Sequence, residues 1–259
     1  MSKINWIDCV KVGDGKNHLY LQNELSNKSI ENQLIAKDLC SIRARFKKII
    51  WPLYKYLSDF IFDGFVEKYA LTQIDSFLSE QCIFLEIACG DMSIGKNLPS
   101  HIWYNAFDYR LKKIYVDGIF SSHELTNLAV ATVSNIPVAD DALDFIVCMQ
   151  AFMHFPDTRK AFDEIKRISK SGAVVVVSIS NDYSRVYQVR GPHPDLTCSW
   201  GFEEFISEFT KRGFDLLNSK KMGYWIRTPQ WLTQRALTVP IEMSDVNKNS
   251  VFLFTFKKR

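Results

Sequence analysis

The chain has 259 residues, of which 47% are hydrophobic and 24% are charged. This length and composition predict a globular protein with one large α/β domain or two small domains. No apolar run is long enough to cross a bilayer, so we expect no membrane span. The net charge of +3 neither requires nor forbids a nucleic-acid partner.

The cysteines and histidines predict neither a metal site nor a disulfide framework. The six cysteines and five histidines are scattered, and no Cys-x-x-Cys pair occurs. The first 20 residues lack the apolar centre of a secretory signal. We therefore expect a cytoplasmic protein with reduced thiols.

The first part of the chain, residues 1–80, is interpreted as an irregular segment followed by a helical cap. Residues 1–27 are polar and contain glycines, which predicts an irregular lead-in. Between residues 29 and 79 apolar residues recur at helical spacing, with an interruption at Pro52. This pattern predicts two or three helices.

From residue 82 onward, β-rich runs alternate with helical stretches. Strands that alternate with helices predict a parallel sheet with helices on both faces. Asp157 can cap the start of the helix between the last two runs. The five predicted strands are residues 82–88, 102–108, 127–133, 143–149 and 173–180.

The alternation stops after residue 180. Residues 181–200 are polar, aromatic and interrupted by two prolines. A connection of this length is either a lid or a disordered insert, and its aromatic content favours a lid. One helix and two closing strands are predicted beyond it. We therefore assign residues 81–259 to one domain that carries this insert.

The turn FLEIACGDMSIGKNLP after the first strand indicates a ligand site. Ligands of open parallel sheets bind beyond the carboxyl ends of the strands. Gly90 allows close approach of the backbone, and the following helix offers free N–H groups. Asp108 ends the second strand, where a carboxylate typically binds the hydroxyls of a ribose. These features predict a nucleoside derivative as the ligand.

The residues of the turn also indicate which nucleoside derivative binds. A dinucleotide requires Gly-x-Gly-x-x-Gly for its pyrophosphate, whereas this turn has only Gly90. Glu86 would repel a diphosphate and attract a positively charged amino-acid end. S-adenosylmethionine has such an end, with an ammonium and a sulfonium group joined to a ribose.

The order and spacing of these motifs resemble the class I S-adenosylmethionine-dependent methyltransferases over residues 82–180. The first motif of that family, an acidic residue followed by x-Gly-x-Gly-x-Gly, falls on EIACGDM at residues 86–92. ATVSNIPVADDALDFIV and CMQAFMHFPD match two later motifs. The resemblance implies a doubly wound, Rossmann-like sheet of seven mostly parallel strands, with the last strand antiparallel.

The resemblance also implies the residues that bind S-adenosylmethionine. The first motif supplies an acid and a loop, and the loop at residues 132–134 faces the adenine. Tyr109 either stacks on the adenine edge or is a half-buried surface residue. The predicted cofactor-binding residues are Glu86, Ala88, Cys89, Gly90, Met92, Asp108, Tyr109, Thr132, Val133, Ser134 and Gln150.

Two glycines of the family's first motif are replaced here, by Ala88 and Met92. Alanine is tolerated if its φ is negative and costs about 1 kcal/mol if its φ is positive. The Met92 side chain must either point away from the cofactor or pack on it. These replacements leave open a protein that binds the cofactor without turnover.

The sequence offers a candidate base for methyl transfer to an alcohol. His154 follows the fourth strand, and the alternative is that it packs near the helix start and hydrogen-bonds locally. His193 in the predicted lid is a second candidate. Cys89 is interpreted as a packing residue rather than a nucleophile.

The methyl acceptor is predicted to be a small molecule or a saccharide, with O- or N-methylation. Aromatic residues of the N-terminal helices and the lid can line an apolar pocket. No Asn/Asp-Pro-Pro-aromatic signature of base-amine methylation follows the fourth strand. The stretch RARFKK at 43–48 either contacts phosphates or is the wet face of a helix. An RNA or protein methyltransferase and a binding protein without turnover remain alternatives.

Overall fold

The protein is built around one mixed β-sheet. The structure is a computed structural model and describes residues 4–7, 9–12, 18–22, 64–77, 82–111, 113–181, 197–226, 237–239, 241 and 243–259. The ten strands of the described ranges are β1 Cys9–Val12, β2 His18–Gln22, β3 Phe84–Ile87, β4 Tyr104–Asp108, β5 Thr126–Val130, β6 Leu143–Met149, β7 Ser169–Ser180, β8 Phe214–Ile226, β9 Leu237–Val239 and β10 Asn249–Lys258.

The helices that the structure describes flank this sheet. They are α1 Gly64–Phe77, α2 Ser93–Asn97, α3 Lys113–Ser122, α4 Thr158–Ile168 and α5 Phe202–Lys211. Two short 3₁₀ helices lie at Phe152–His154 and Val246–Lys248. None of the helices in the described ranges is long and apolar enough to cross a membrane.

The strand order is β1-β2-β5-β4-β3-β6-β7-β10-β8-β9. The five strands from β5 to β7 are parallel, and β10 runs antiparallel to both β7 and β8. The chain runs outward from β3 to β5 and then returns to β6 on the other side of β3. The strand order therefore reverses at β3, which is where an open α/β sheet binds its ligand.

This arrangement confirms the predicted Rossmann-like fold with an antiparallel last strand. Five predicted strands are present, and β6 has the predicted bounds. The predicted strand at 127–133 ends earlier, at Val130, because Thr132 and Asn135 form a turn with a 3.3 Å hydrogen bond from Asn135 N–H to the Thr132 carbonyl. The sheet is also wider than the seven strands predicted, since β1, β2 and β9 extend its edges.

The prediction of an irregular lead-in is wrong for the residues of β1 and β2. These two strands pair with each other, and β2 pairs in parallel with β5. The edge of β5 presents unpaired backbone N–H and C=O groups, which the β2 backbone satisfies. The buried side chain of Leu19 joins the core of the sheet.

The N-terminal residues 4–7 also lie on the sheet. The Ile4 N–H donates a 3.0 Å hydrogen bond to Asn105 Oδ1, and Asn127 Nδ2 donates a 3.0 Å bond to the Ile4 carbonyl. Trp6 is buried and packs edge-on against Phe107. The buried side-chain amides of Asn105 and Asn127, on adjacent strands, therefore provide hydrogen-bond partners for the backbone of Ile4.

Helix α1 falls in the predicted cap, yet it packs on the sheet beside β6 and β7. Ala70 and Ile74 are buried in the core, and the Tyr69 hydroxyl lies 3.3 Å from Thr255 Oγ1 on β10. The other predicted cap helices, the stretch RARFKK and most of the predicted lid lie outside the described residues. The boundary near residue 80 stays a prediction.

The two faces of the sheet carry different helices, which is the doubly wound arrangement. Helices α1, α2 and α3 lie on one face, and α4 and α5 lie on the other. The predicted cap of α4 is present, because Asp157 Oδ1 accepts a 3.1 Å hydrogen bond from the Lys160 N–H. The apolar face of α4 is fully buried, and its members are Ala161, Phe162, Ile165 and Ile168.

Candidate functional site

The turn between β3 and α2 has left-handed backbone at alternate positions. The φ angles are 55° at Ala88, 49° at Gly90 and 60° at Met92. The Cys89 N–H donates a 3.1 Å hydrogen bond to the Phe107 carbonyl of β4, which anchors the turn. The turn thus has left-handed backbone at each glycine position of the family's first motif, although two glycines are replaced. A residue with a Cβ costs about 1 kcal/mol in this conformation.

The Met92 side chain packs in the core and not toward the sheet edge. It is fully buried, with 0% exposure, in one cluster with Cys89, Ile94 and Leu98. This burial fits the alternative in which the side chain points away from a ligand above the turn, and a cofactor-binding role for Met92 stays a prediction. This packing offsets the backbone strain at that position.

Glu86 is a buried carboxyl group near the end of β3, with 3% exposure. The Tyr104 hydroxyl donates a 2.5 Å hydrogen bond to Glu86 Oε2. The pKa of Glu86 is raised to about 8. Burial is the largest cause and the nearby Asp91, Glu67 and Asp108 also raise this pKa, whereas the hydrogen bond from Tyr104 lowers it. A cation at this site would favour the ionised carboxylate.

Asp108 ends β4 and braces the neighbouring turn. Its Oδ2 atom accepts a 3.0 Å hydrogen bond from the Gly90 N–H, and its Oδ1 atom accepts a 2.8 Å bond from the Arg110 N–H. Because Glu86 pairs with Ala106 in the register of β3 and β4, the two acidic residues lie at the carboxyl ends of adjacent strands. The structure therefore brings the two predicted carboxylates to one edge of the sheet.

Tyr109 follows Asp108 at the same edge. Its side chain is 47% exposed, and the Arg110 guanidinium lies 5.8 Å from the centre of its ring. The Tyr109 side chain is thus more exposed than the half-buried surface position that the sequence analysis gave as one alternative. The role of this ring against an adenine stays a prediction.

The loop after β5 places Thr132, Val133 and Ser134 at the carboxyl edge. Val133 is buried, and the Ser134 N–H donates a 3.4 Å hydrogen bond to Thr132 Oγ1. The continuation of the loop is attached to α4, since Glu164 Oε2 accepts a 2.6 Å hydrogen bond from the Ile136 N–H. The loop therefore has a fixed base below the residues predicted to face the adenine.

Arg167 of α4 completes this attachment, and its role was missed by the sequence analysis. Its guanidinium donates hydrogen bonds of 2.7 Å to the Val138 carbonyl and 2.8 Å to the Ile136 carbonyl. It also pairs with Glu164 and Asp140 at 2.7 Å. A basic residue in the last turn of a helix was visible in the sequence, but its partners across the fold were not.

Gln150 lies at the carboxyl end of β6 in left-handed backbone, with a φ of 52°. Its Nε2 atom donates a 3.1 Å hydrogen bond to Ser178 Oγ, and its Oε1 atom accepts a 2.8 Å bond from Ser180 Oγ. The two serines of β7 thus fix the orientation of the amide. They interrupt the apolar run of β7, which was a signal that the sequence analysis did not use.

His154 lies in the 3₁₀ helix directly after β6. The His154 side chain is exposed. The backbone N–H of His154 donates a 2.8 Å hydrogen bond to the Ala151 carbonyl. Thr197, beyond the undescribed part of the predicted lid, holds this helix, because its Oγ1 atom donates bonds of 3.0 and 2.6 Å to the Met153 and Phe155 carbonyls. His193 lies outside the described residues.

Cys89 is buried. Burial is the main reason that the pKa of its thiol is raised, and the negative charges of Asp108 and Glu86 raise it as well. A buried thiol of this kind is a poor nucleophile, which agrees with the interpretation of Cys89 as a packing residue. The part of the chain that the structure describes brings no three His, Cys, Asp or Glu side chains together as a metal site.

Residues 85–177 match the family model described as a methyltransferase domain. The comparison with curated proteins gives no significant match. Among solved structures, the YcgJ protein from Bacillus subtilis has a TM-score of 0.59 at 13% identity, over 76% of this chain and 99% of that chain.

Two further solved structures have a similar fold. An S-adenosylmethionine-dependent methyltransferase from Thermotoga maritima, described as a possible histamine N-methyltransferase, has a TM-score of 0.52 at 15% identity, over 83% of this chain and 99% of that chain. The [4+2]-cyclase SpnF has a TM-score of 0.55 at 13% identity, over 74% of this chain and 80% of that chain. At these identities the structures establish the fold.

The strand order is that of the class I, Rossmann-like fold that the motifs predicted, and the family match lies within this sheet, from residue 85 to residue 177. Residues 85–177 thus match the kind of domain that the motifs predicted, a methyltransferase domain.

Proposed function

We propose that this protein transfers the methyl group of S-adenosylmethionine to a small-molecule or saccharide acceptor, by O- or N-methylation. The observation that carries the proposal is the placement of Glu86 and Asp108 at the ends of adjacent strands, on either side of a turn with left-handed backbone. An RNA or protein acceptor and a binding protein without turnover are the competing proposals.

The carboxyl groups and the loop at this edge of the sheet fit the chemical groups of S-adenosylmethionine. Each oxygen of the Asp108 carboxylate accepts one backbone N–H, and a carboxylate oxygen can accept two hydrogen bonds. Asp108 would accept hydrogen bonds from the ribose hydroxyls. Glu86 would attract the ammonium and sulfonium end. The loop of Thr132, Val133 and Ser134, with Tyr109, would hold the adenine.

The raised pKa of Glu86 supports a cationic ligand. With a pKa of about 8, caused mainly by burial, this group holds its proton at neutral pH when no cation is near. A bound ammonium would favour the ionised form, since opposite charges at close range lower a carboxyl pKa. A diphosphate would instead be repelled by the nearby carboxylates of Asp91 and Asp108.

S-adenosylmethionine supplies the electrophilic methyl group when it is bound, and the protein must supply position and exclude water. We propose that the amide of Gln150, fixed by Ser178 and Ser180, contacts the bound cofactor. We propose His154 as the base that removes a proton from the acceptor, because its imidazole is exposed past the carboxyl end of β6.

The residues around the proposed acceptor position favour a small molecule or saccharide over RNA. Residues 149–155 and 197–200 contain no lysine or arginine, whereas binding to nucleic acid depends on cationic contacts with phosphates. The Thermotoga maritima neighbour, described as a possible histamine N-methyltransferase, shows a small-molecule acceptor proposed for a protein of this fold.

The fold alone does not fix the reaction, because a [4+2]-cyclase shares it. The test is incubation of the protein with S-adenosylmethionine and separate panels of metabolites, saccharides, RNA and proteins, with detection of S-adenosylhomocysteine and of methylated product by mass spectrometry. We expect product from the small-molecule or saccharide panel. Product from RNA or protein alone would contradict the acceptor class. Binding without S-adenosylhomocysteine in every panel would favour the protein without turnover.

A further inference from the structure

The carboxyl group of Glu86 has a specific hydrogen-bond partner inside the sheet. Tyr104 begins β4, two residues before Ala106, which pairs with Glu86 in the register of the two strands. Side chains two residues apart on a strand lie on the same face. The small side chain of Ala106 thus leaves space for the Tyr104 hydroxyl, which donates a 2.5 Å hydrogen bond to Glu86 Oε2.

The Tyr104 ring occupies a closely fitted seat. The ring is fully buried, and it lies beside the rings of Phe84 and His123, at centroid distances of 6.4 and 6.3 Å. A Cβ atom at Gly95 of α2 would lie 2.5 Å from Cε1 and Cζ of the ring. Only glycine at position 95 therefore leaves room for the ring in this position.

We propose that Tyr104 is a positioning residue, which holds one oxygen of Glu86 so that the other oxygen faces the cationic end of the cofactor, and that Gly95 is required to seat its ring. This inference rests on the proposed function. A tyrosine hydroxyl has one proton to donate, so Tyr104 satisfies Oε2 and leaves Oε1 for a ligand. Among the described residues, Tyr104 is the donor to this carboxylate.

The surroundings of Glu86 explain why this donor matters. The titratable groups that face it are Tyr104 and Asp108 from β4, Cys89 and Asp91 from the turn, Glu67 from α1 and Cys148 from β6. The three carboxylates among them disfavour a negative charge at Glu86, and burial disfavours it most. The Tyr104 hydrogen bond acts in the opposite direction, because it stabilises the ionised form.

The first measurement is the pKa of Glu86 in ligand-free protein, by NMR titration of carboxyl carbons in a glutamate-labelled sample. Tyr104→Phe keeps the ring and its packing but removes the hydroxyl. We expect this variant to titrate at a higher pH than the wild-type protein. Tyr69→Phe removes a hydroxyl bonded to Thr255 and is the matched control, which should leave the titration of Glu86 unchanged. An unchanged Glu86 pKa in Tyr104→Phe would overturn the proposal.

The second measurement is calorimetric binding of S-adenosylhomocysteine to the same proteins. We expect Tyr104→Phe to bind about tenfold more weakly at pH 7, since a hydrogen bond to a charged group is lost, and the difference to shrink as the pH rises. Tyr69→Phe should bind as the wild type does. Wild-type affinity at every pH in Tyr104→Phe would overturn the positioning role, whereas a wild-type protein that does not bind would overturn the proposed function itself.

Gly95→Ala tests the seat of the ring separately. The added methyl group must displace Tyr104 or α2, so we expect weaker binding and a Glu86 pKa shifted in the same direction as in Tyr104→Phe. If Gly95→Ala binds and titrates as the wild type does, the ring is not held by this contact. Should Gly95→Ala fail to fold, the titration and binding of Tyr104→Phe, which retains the ring and its packing, decide the positioning role of Tyr104.

Discussion

The N–H of Gly90 donates a 3.0 Å hydrogen bond to Asp108 Oδ2, and this bond joins the turn after β3 to the end of β4. Asp108 is therefore both a proposed ligand for the ribose and a brace for the backbone that surrounds the same ligand. The geometry of the site depends on this acid before any ligand is bound.

Asp108→Asn should weaken the binding of S-adenosylhomocysteine by at least about tenfold, because a charged acceptor of two backbone N–H groups becomes neutral. Isothermal titration calorimetry at one pH measures the change. The control is Asp215→Asn, which alters an exposed acid on β8, far from the turn. Asp215 Oδ1 lies 3.4 Å from Arg259 Nε. Equal losses of affinity in both variants would show that the effect is not specific to the site.

The replaced glycines of the turn give opposite predictions although their φ angles are alike. Ala88→Gly removes a methyl group from left-handed backbone and should stabilise the protein by up to about 1 kcal/mol. Met92→Gly relieves similar strain but deletes a fully buried side chain, so it should destabilise the protein by about 2 kcal/mol or more. Urea unfolding measures both. A loss of stability in Ala88→Gly would contradict the strain at this position.

The pKa of Glu86 makes a prediction about stability. The folded value of about 8 lies above the ordinary value of 4.5, so the unfolded chain loses this proton first. The contribution of Glu86 is fully present below pH 4.5 and is lost as the pH rises through about 8. Glu86→Gln cannot lose a proton, and its stability relative to wild type should rise between pH 5 and pH 8, on the order of 1 to 3 kcal/mol.

The measurement for Glu86→Gln is urea unfolding of ligand-free protein across this pH range. Glu203→Gln, at an exposed position in the first turn of α5, is the control and should show a constant difference from wild type. A constant difference for Glu86→Gln as well would mean that Glu86 titrates alike in the folded and unfolded states. The same variant should bind S-adenosylhomocysteine poorly, so that stability is gained where function is lost.

His154→Gln tests the proposed base. If the imidazole removes a proton from the acceptor, kcat should fall by about 100-fold or more, while the affinity for S-adenosylhomocysteine stays unchanged. His101→Gln is the control, because His101 is exposed in the turn before β4, at the opposite edge of the sheet. Turnover in His154→Gln at the wild-type rate would leave His154 with the local role that the sequence offered as its alternative.

The sequence was sufficient to predict the parallel part of the sheet, for reasons visible in single segments. β6 is an apolar run with turn residues on both sides, so both of its ends could be placed. Glu86 and Asp108 were recognisable because each is an acid near the end of a buried strand. Such features depend on residues close in the chain.

Features that depend on pairing across the chain could not be predicted. β2 becomes a strand because it pairs with β5, which lies more than a hundred residues later in the chain, and β1 pairs in turn with β2. The bond from Tyr104 to Glu86 depends on the register of two strands. The hydrogen bonds from Arg167 to the Ile136 and Val138 carbonyls depend on how α4 packs against the sheet. No local pattern carries these relationships.

Calorimetric titration of the wild-type protein with S-adenosylhomocysteine, beside Glu86→Gln and Asp108→Asn, tests the central claim most directly. We predict saturable binding at one site per chain in the wild type and a clear loss of affinity in each variant. A titration without heat in the wild type, or equal affinity in all three proteins, would contradict a cofactor site at the ends of β3 and β4.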